Sequence, residues 1–519
     1  MKNKIAYLLL VVFMLIAVVA CNNDNGEVEG NYTVIEEASE NVAHVKTDKY
    51  FYNKEDTIKV YNYNASKEDF VCLLGPNDEP VKVNRNLRSK TNTEVDEFSV
   101  SDLIKYSTGV GYGEYSVCLY DANYSTLYRT TFFVLDGDKT DYSPKEISFI
   151  DTVGIAFKQE QQTGTFTYKL YWAKDGVRLN DYTAIKTFTA TGFQSFPVLF
   201  NQNMYAPKEA NQIELVVMEG YSQSLYWDIP EDLYLPDGNL LYSFNVLTDI
   251  HAYKMDPTDP YTSHFINAFK QVEELNPNSV GIYTVGDNTG NGKDYEYDIL
   301  NDLLAKYKKT NTPIYYAMGN HDYMYYETFE EGLNLFKNKL NVSNHYYSFE
   351  VNGSKVIMLS SETTSVYGSM KQTQLDWLRK ELQNTDPNKP IFIMIHQPLK
   401  NTVAGTLVDK DPNQTAYGFT DGSGSKFRDI IRPYTNAFVF SGHSHWTMDS
   451  EQSTYVGGTG DANFINCSSV AAPEDGSGTL ASSQGVFVEV YDNYVVIKGR
   501  DFVKNAWIST NQIVIPLTK

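Results

Sequence analysis

Five short polar stretches in the C-terminal half of this 519-residue chain hold residue types that could act together on one ligand. They are Thr248-Asp249-Ile250-His251, Gly286-Asp287-Asn288, Gly319-Asn320-His321-Asp322, the single His396, and Gly442-His443-Ser444-His445. The chain has only eight histidines, and His251, His321, His396, His443 and His445 all fall in these stretches. Taken singly, each stretch reads equally well as a helix cap or a surface turn. Residues two apart on extended backbone point to the same side, so Asp249 with His251, and His443 with His445, can each serve one cavity. Oxygen and nitrogen donors without cysteine suit Mn, Fe or Zn and exclude softer-ligand sites. Seven candidate ligands are too many for one tetrahedral zinc. They suit two ions about 3.5–4 Å apart that share one carboxylate, an arrangement that clamps the attacking and leaving oxygens of a displacement at phosphorus.

The elements that must position these residues follow from the apolar pattern. Each stretch comes just after a run that reads as a buried strand: 242–247, 280–285, 314–318, 391–395 and 437–440. Between and after them, 261–275, 297–307, 329–340, 373–382 and a segment near 427–431 carry helical spacing, while 346–351 and 355–359 read as a strand pair. Strands return at 485–491, 494–498 and 513–517. Such alternation predicts an α/β domain over 240–519 whose sheets are covered by helices. In open α/β sheets ligands bind beyond the carboxyl ends of the strands, so the five stretches should converge.

The order Asp-x-His, Gly-Asp, Gly-Asn-His-Asp, His, Gly-His-x-His resembles the calcineurin-like metallophosphoesterase superfamily, with motifs between Ser243 and Asp449. The resemblance implies two facing mixed β-sheets flanked by helices, with a dinuclear metal site at one edge. It implies that Asp249, His251 and His445 hold one metal, that Asn320, His396 and His443 hold the other, and that Asp287 bridges both. It implies hydrolysis of a phosphomonoester or phosphodiester by a metal-bridging hydroxide. His321 matches the family histidine proposed to protonate the leaving oxygen or bind phosphate, with Asp322 expected to hold its imidazole in place. The sequence departs from many relatives at Gly290, three positions after Asp287, where they carry an acidic residue or a tyrosine. That speaks against the tyrosine-ligated iron site of purple acid phosphatases. No arginine follows Asp287 or Asp322 closely, which speaks against the protein phosphatase branch. Tyr323, Tyr325, Tyr326 and Trp446 adjoin motif residues and could either contact substrate or simply pack, and the polar loop 400–424 could cover the site.

The remainder of the chain is organised around a different rhythm. With 42% hydrophobic and 21% charged residues the chain is globular, and forty tyrosines favour β-rich structure. A net charge of -22 makes nucleic acid an unexpected partner and would repel phosphate unless metal ions inverted the local field. Lys2 and Lys4 precede an apolar run that closes on Val18-Val19-Ala20-Cys21, which predicts a signal peptide over 1–21 and resembles the lipobox of bacterial lipoproteins, with Cys21 lipidated. A simple uncleaved anchor is the alternative. Either way the bulk of the chain is expected outside the cytoplasm, in the cell envelope, with 22–46 as a flexible tether. Short alternating strands predict an immunoglobulin-like β-sandwich over 47–136 and a fibronectin-type-III-like one over 145–236, joined by an Asp/Gly/Pro-rich linker. The sandwiches read as spacers or as platforms for a glycan or protein partner. In an oxidising compartment Cys72 and Cys118 could pair, or remain buried free thiols. A different class of function, a surface binding lipoprotein carrying a degenerate phosphoesterase scaffold, predicts loss of one or more ligands, and none is missing.

Overall fold

The computed structural model describes residues 43–518 apart from short stretches, chiefly 82–86, 89–94, 136–145, 159–164 and 218–223, and is continuous from 224 to 411. The expected signal peptide, Cys21, most of the tether and the linker at 136–145 lie outside the described residues. No helix among the described residues is long and apolar enough to cross a membrane.

Two six-stranded mixed sheets form the C-terminal domain. In the first, Ile314–Ala317, Ile282–Val285 and Leu240–Leu247 run parallel and then continue antiparallel into Gln484–Tyr491, Tyr494–Asp501 and Ala506–Pro516. In the second, the hairpin Tyr347–Val351 and Ser354–Met358 leads into parallel Ile391–Met394, Ala437–Ser441 and Asn463–Asn466, with Thr454–Tyr455 at the far edge. The sheets face each other through side chains that alternate inward, as a period-2 pattern requires. Phe244, Val246, Tyr283 and Val285 of one meet Phe392, Met394, Phe438 and Phe440 of the other, and the rings of Phe244 and Phe392 sit edge to face at 4.8 Å. Helices Pro260–Leu275, Asp294–Tyr307 and Phe329–Leu340 bury their apolar faces against the outside of the first sheet, and Gln372–Gln383 and Gly422–Ile431 against the outside of the second. The expected strands and helices match these within a few residues. Thr454–Tyr455 and Asn463–Asn466 have no counterpart in the sequence reading, and the last strand begins at Ala506 instead of 513. Its first half, Ala506 to Asn511, is broken by polar residues that blur the alternation.

The N-terminal region is β-rich, and its two halves are not separate. Among the described residues a ten-stranded sheet takes strands from both, because Thr165–Lys174 joins Gly113–Tyr120 in parallel at Thr165 opposite Gly113. A Cβ at position 113 would lie 1.7 Å from the Thr165 carbonyl oxygen, and φ there is +128°, so only glycine permits this junction. A three-stranded sheet, His44–Thr47, Thr57–Tyr63 and Val95–Ser99, covers one half, burying Val45, Ile58, Val60 and Phe98 against Val71, Val117, Leu119 and Phe132. Two expectations are corrected here. The strand His44–Thr47 begins inside the segment read as tether, with Val45 fully buried. Within 47–136, where the sequence predicts only short strands, Val100–Tyr106 forms a helix that buries Val100 and Leu103. Cys72 and Cys118 stand directly opposite one another on neighbouring antiparallel strands, with no disulfide between them.

The second half also packs onto the C-terminal domain. Phe166, Leu170, Trp172 and Ile213 share a core with Ile508, Ile513 and Ile515. Trp507 N–H donates to the Asp181 carbonyl at 2.7 Å, Thr183 N–H to the Trp507 carbonyl at 2.8 Å, and Tyr205 N–H to the Gln512 carbonyl at 3.0 Å. The outer edge of the first sheet is thereby covered, which removes a row of unpaired backbone groups.

Candidate metal centre

All five polar stretches meet at the carboxyl ends of parallel strands, three from the first sheet and two from the second. Five of the expected ligands adopt left-handed backbone there: Asp249 (φ 51°), His251 (49°), Asp287 (50°), His443 (66°) and His445 (56°). Each such residue costs about 1–3 kcal/mol unless its surroundings fix it. The loops fix one another. Asp249 N–H donates to the Gly286 carbonyl at 3.1 Å, His251 N–H to the Asp287 carbonyl at 3.0 Å, and Gly442 N–H to the His396 carbonyl at 3.0 Å. His443 N–H donates to Asp249 Oδ2 at 2.9 Å and His321 N–H to Asp287 Oδ1 at 2.8 Å. Gly319 sits so tightly under Asp287 that a Cβ would lie 2.2 Å from Oδ1.

Within this frame the donor atoms fall into three groups whose members lie within 4.8 Å of one another: Asp249, His251 and His445; His251, Asp287 and His321; and Asp287, His396 and His443. Asp287 belongs to two groups. Its Oδ2 is 3.1 Å from His396 Nε2 and 3.9 Å from both His251 Nε2 and His321 Nε2. Asn320 Oδ1 lies 3.1 Å from His396 Nε2. The imidazoles are aimed from behind: His396 Nδ1 donates to the Val285 carbonyl at 2.8 Å and His445 Nδ1 to the Ala472 carbonyl at 2.8 Å, which turns both Nε2 atoms to the centre. Asp249 spends Oδ2 on Thr248 Oγ1 and His443 N–H, while its fully buried Oδ1 accepts no hydrogen bond and faces His445 Nε2 at 2.9 Å. A buried carboxylate oxygen left without a hydrogen bond among converging Nε2 atoms is what a cation would satisfy, so the donor set fits metal ions.

The electrostatics agree. Burial alone would raise the Asp249 carboxyl, yet the His445 and His396 imidazoles hold it well below the usual carboxylate range, and His396 and His321 do the same for Asp287. Burial lowers His396 and His445, but Asp287 and Asp249 outweigh it and hold each up at about 9. Burial, with the neighbouring His396 charge, pushes His443 down to about 3. Two buried carboxylates thus demand positive charge, supplied by protons when no ion is bound.

Asp322 does not do what the sequence reading expected. Its carboxylate accepts from Asn288 N–H (3.1 Å), Thr289 N–H (3.1 Å), Asn288 Nδ2 (2.9 Å) and Gly319 N–H (3.0 Å), while the Nδ1 of His321 hydrogen-bonds elsewhere. It ties the Asp287 loop to the Asn320 loop. Burial, then the Asp287 charge, raises it to about 6. The partner of His321 is the Gly290 carbonyl, which accepts from Nδ1 at 2.6 Å. No side-chain signal in the sequence marks a carbonyl, so this partner was not legible. Of the aromatic neighbours, Tyr323 is fully buried against Phe329 and Gly332, whereas Tyr325 is 62% exposed. The described part of loop 400–424 is seated, with Val403 and Ala404 buried and Gly405 against Trp446 and Ser444.

Comparison with known proteins follows the same line. Residues 242–447 match the family described as Calcineurin-like phosphoesterase. The chain is similar to a 3',5'-cyclic-nucleotide phosphodiesterase of Nostoc sp., 30% identical over 29% of this chain and 55% of the relative. It is also similar to a probable glycerophosphodiester phosphodiesterase of Arcobacter nitrofigilis, 28% identical over 25% of this chain and 46% of the relative. The chain thus spans about half the length of the curated relatives it matches. Among solved structures, a purple acid phosphatase from yellow lupin seeds aligns over 92% of this chain and 96% of its own, at 12% identity and a TM-score of 0.37.

Proposed function

We propose that the chain hydrolyses a phosphoester, mono- or diester, at a dinuclear metal site, with Asp249, His251 and His445 around one ion, Asn320, His396 and His443 around the other, and Asp287 shared. The observation that carries this reading is the convergence of Asp249, His251, Asp287, His396, His443 and His445 from four strand ends into groups linked through His251 and Asp287, with Asn320 Oδ1 beside His396 and Asp249 Oδ1 left without a hydrogen bond. Ions bound there would supply a water ionised near neutral pH and a positive field for the phosphoryl oxygens. The chain's own residues do the rest. The left-handed ligands and interlocked loops pre-set the donors, so little reorganisation is needed on loading. His321, 32% exposed and with Nδ1 held by Gly290, has Nε2 3.9 Å from Asp287 Oδ2, where as an imidazolium it would hydrogen-bond the phosphoryl group or hand its Nε2 proton to the leaving oxygen. The names of the two curated relatives put diesters first among substrates to try.

The Lys2-to-Cys21 segment supports lipid anchoring at the cell envelope, facing the periplasm or the exterior, and the two β-rich halves support sandwich-type modules that hold the phosphoesterase domain off the membrane or engage a glycan or protein. The test is a panel of mono- and diesters run on the purified full chain with Mn, Fe or Zn restored after chelation. Chelator-sensitive turnover of at least one ester is expected, and a fully metal-loaded protein inert to the whole panel would overturn the reading.

A further inference from the structure

An aromatic path leads from solvent to His321. Tyr253, two residues after His251 and 37% exposed, lies edge-on to Tyr261 at 5.8 Å. Tyr261 stands 6.2 Å from the His251 ring, and His251 stands 4.6 Å from His321, again edge to face. Tyr253 also backs the His321 anchor, since a Cβ at Gly290 would lie 3.1 Å from the Tyr253 Cβ. A side chain at position 290 would press on Tyr253, so glycine there leaves this ring its room.

One carboxylate builds the wall. Asp259 Oδ1 accepts the N–H groups of Tyr261 and Thr262 and so caps the helix Pro260–Leu275, while Oδ2 accepts the Tyr253 hydroxyl at 2.5 Å. The ring is fixed before any ligand arrives, which removes part of the ordering cost of binding. Lys293 holds its Nζ 5.2 Å from the centroid of the exposed Tyr325 ring. A pre-set, solvent-exposed aromatic face beside a reacting centre offers stacking to a flat group and little to a flexible polar one.

We propose that Tyr253 and Tyr261 form the wall of a leaving-group subsite beside His321 that takes a planar aromatic group, aryl or nucleobase, carried by the phosphoester. The proposal rests on the phosphoesterase reading for the word leaving group, but its binding face stands on the geometry alone. The subsite explains why tyrosines stay exposed at this mouth, and it makes the aromatic part of the substrate, not its charge, the feature selected.

The test uses the full metal-loaded chain and two probes that differ only in the flat group, phenylphosphonate and methylphosphonate, with binding read by calorimetry. Wild type should prefer phenylphosphonate by about tenfold, the scale of one stacked ring. Tyr253→Ala should remove the preference while binding methylphosphonate as before, Tyr253→Phe should retain most of it, and Tyr367→Ala, an exposed ring outside the wall, should leave it intact. Equal affinity of wild type for the two phosphonates, or a Tyr253→Ala protein that weakens both equally, would overturn the subsite. A parallel kinetic arm separates it from the reading beneath: a chain that prefers phenylphosphonate yet hydrolyses no ester loses the activity and keeps the subsite. A chain that hydrolyses esters with no loss of kcat/KM on bis(4-nitrophenyl) phosphate in Tyr253→Ala keeps the activity and loses the subsite.

Discussion

His321 donates its Nδ1 proton to the carbonyl oxygen of Gly290 at 2.6 Å, and this one bond sets what the imidazole can do. A carbonyl only accepts, so the proton on Nδ1 is fixed, and Nε2 can donate toward the substrate only when the ring takes up a second proton as imidazolium.

Replacing His321 by Ala or Asn should therefore lower kcat by about 10²–10⁴-fold, the usual worth of a positioned proton donor. Metal content, measured by elemental analysis, should remain that of the wild type, because the side chain is not needed to complete either ligand set. The loss should shrink for esters whose leaving group needs no proton.

Asp322 predicts a different phenotype from His321 despite being its neighbour. Asp322→Ala removes the acceptor for the N–H groups of Asn288, Thr289 and Gly319, each buried and each worth about 1–3 kcal/mol when left unsatisfied. The expected outcome is a lowered Tm and weaker metal retention, with the pH profile of any residual activity unmoved. A shifted pH profile at unchanged Tm would instead restore the role in positioning His321.

This contrast marks what sequence could and could not show. The ligand types and their placement after apolar strands were legible, because strand ends and donor chemistry are both written in side chains. The work of Asp322 and of the Gly290, Val285 and Ala472 carbonyls was not, because it depends on backbone groups brought together by tertiary packing. Likewise the β-rich character of 47–136 and 145–236 was legible in their short alternating runs, but nothing in them announced that Thr165 would meet Gly113 and merge the two β regions in one sheet.

Metal uptake should release protons. His396 and His445, lowered by burial but held up at about 9 by Asp287 and Asp249, are protonated near pH 7 without metal and must be neutral to ligate. Apparent metal affinity should thus fall as pH is lowered. For the chelated protein, pKa values raised above the unfolded value near 6.5 give stability that is complete below about pH 6.5 and is lost as pH rises through about 9. Melting curves between about pH 6 and 10 should show this decline in chelated protein and a flatter response after metal is restored.

The N-terminal β region should be needed for a soluble phosphoesterase domain. Removing residues 1–236 uncovers Ile508 and Ile513 and the backbone of the edge strand Ala506–Pro516. Aggregation or a markedly lower Tm of the 237–519 fragment is expected in light scattering and thermal melts, because an open apolar edge templates pairing between chains.

The most direct measurement is titration of chelated full-length protein with Mn or Zn, following diester hydrolysis and bound metal together. The dinuclear reading predicts that activity rises to its full value as bound metal reaches about two ions per chain, and that Asp287→Ala neither retains both ions nor turns over. Full activity in the metal-free chain, or saturation at a single ion with Asp287→Ala unimpaired, would contradict it.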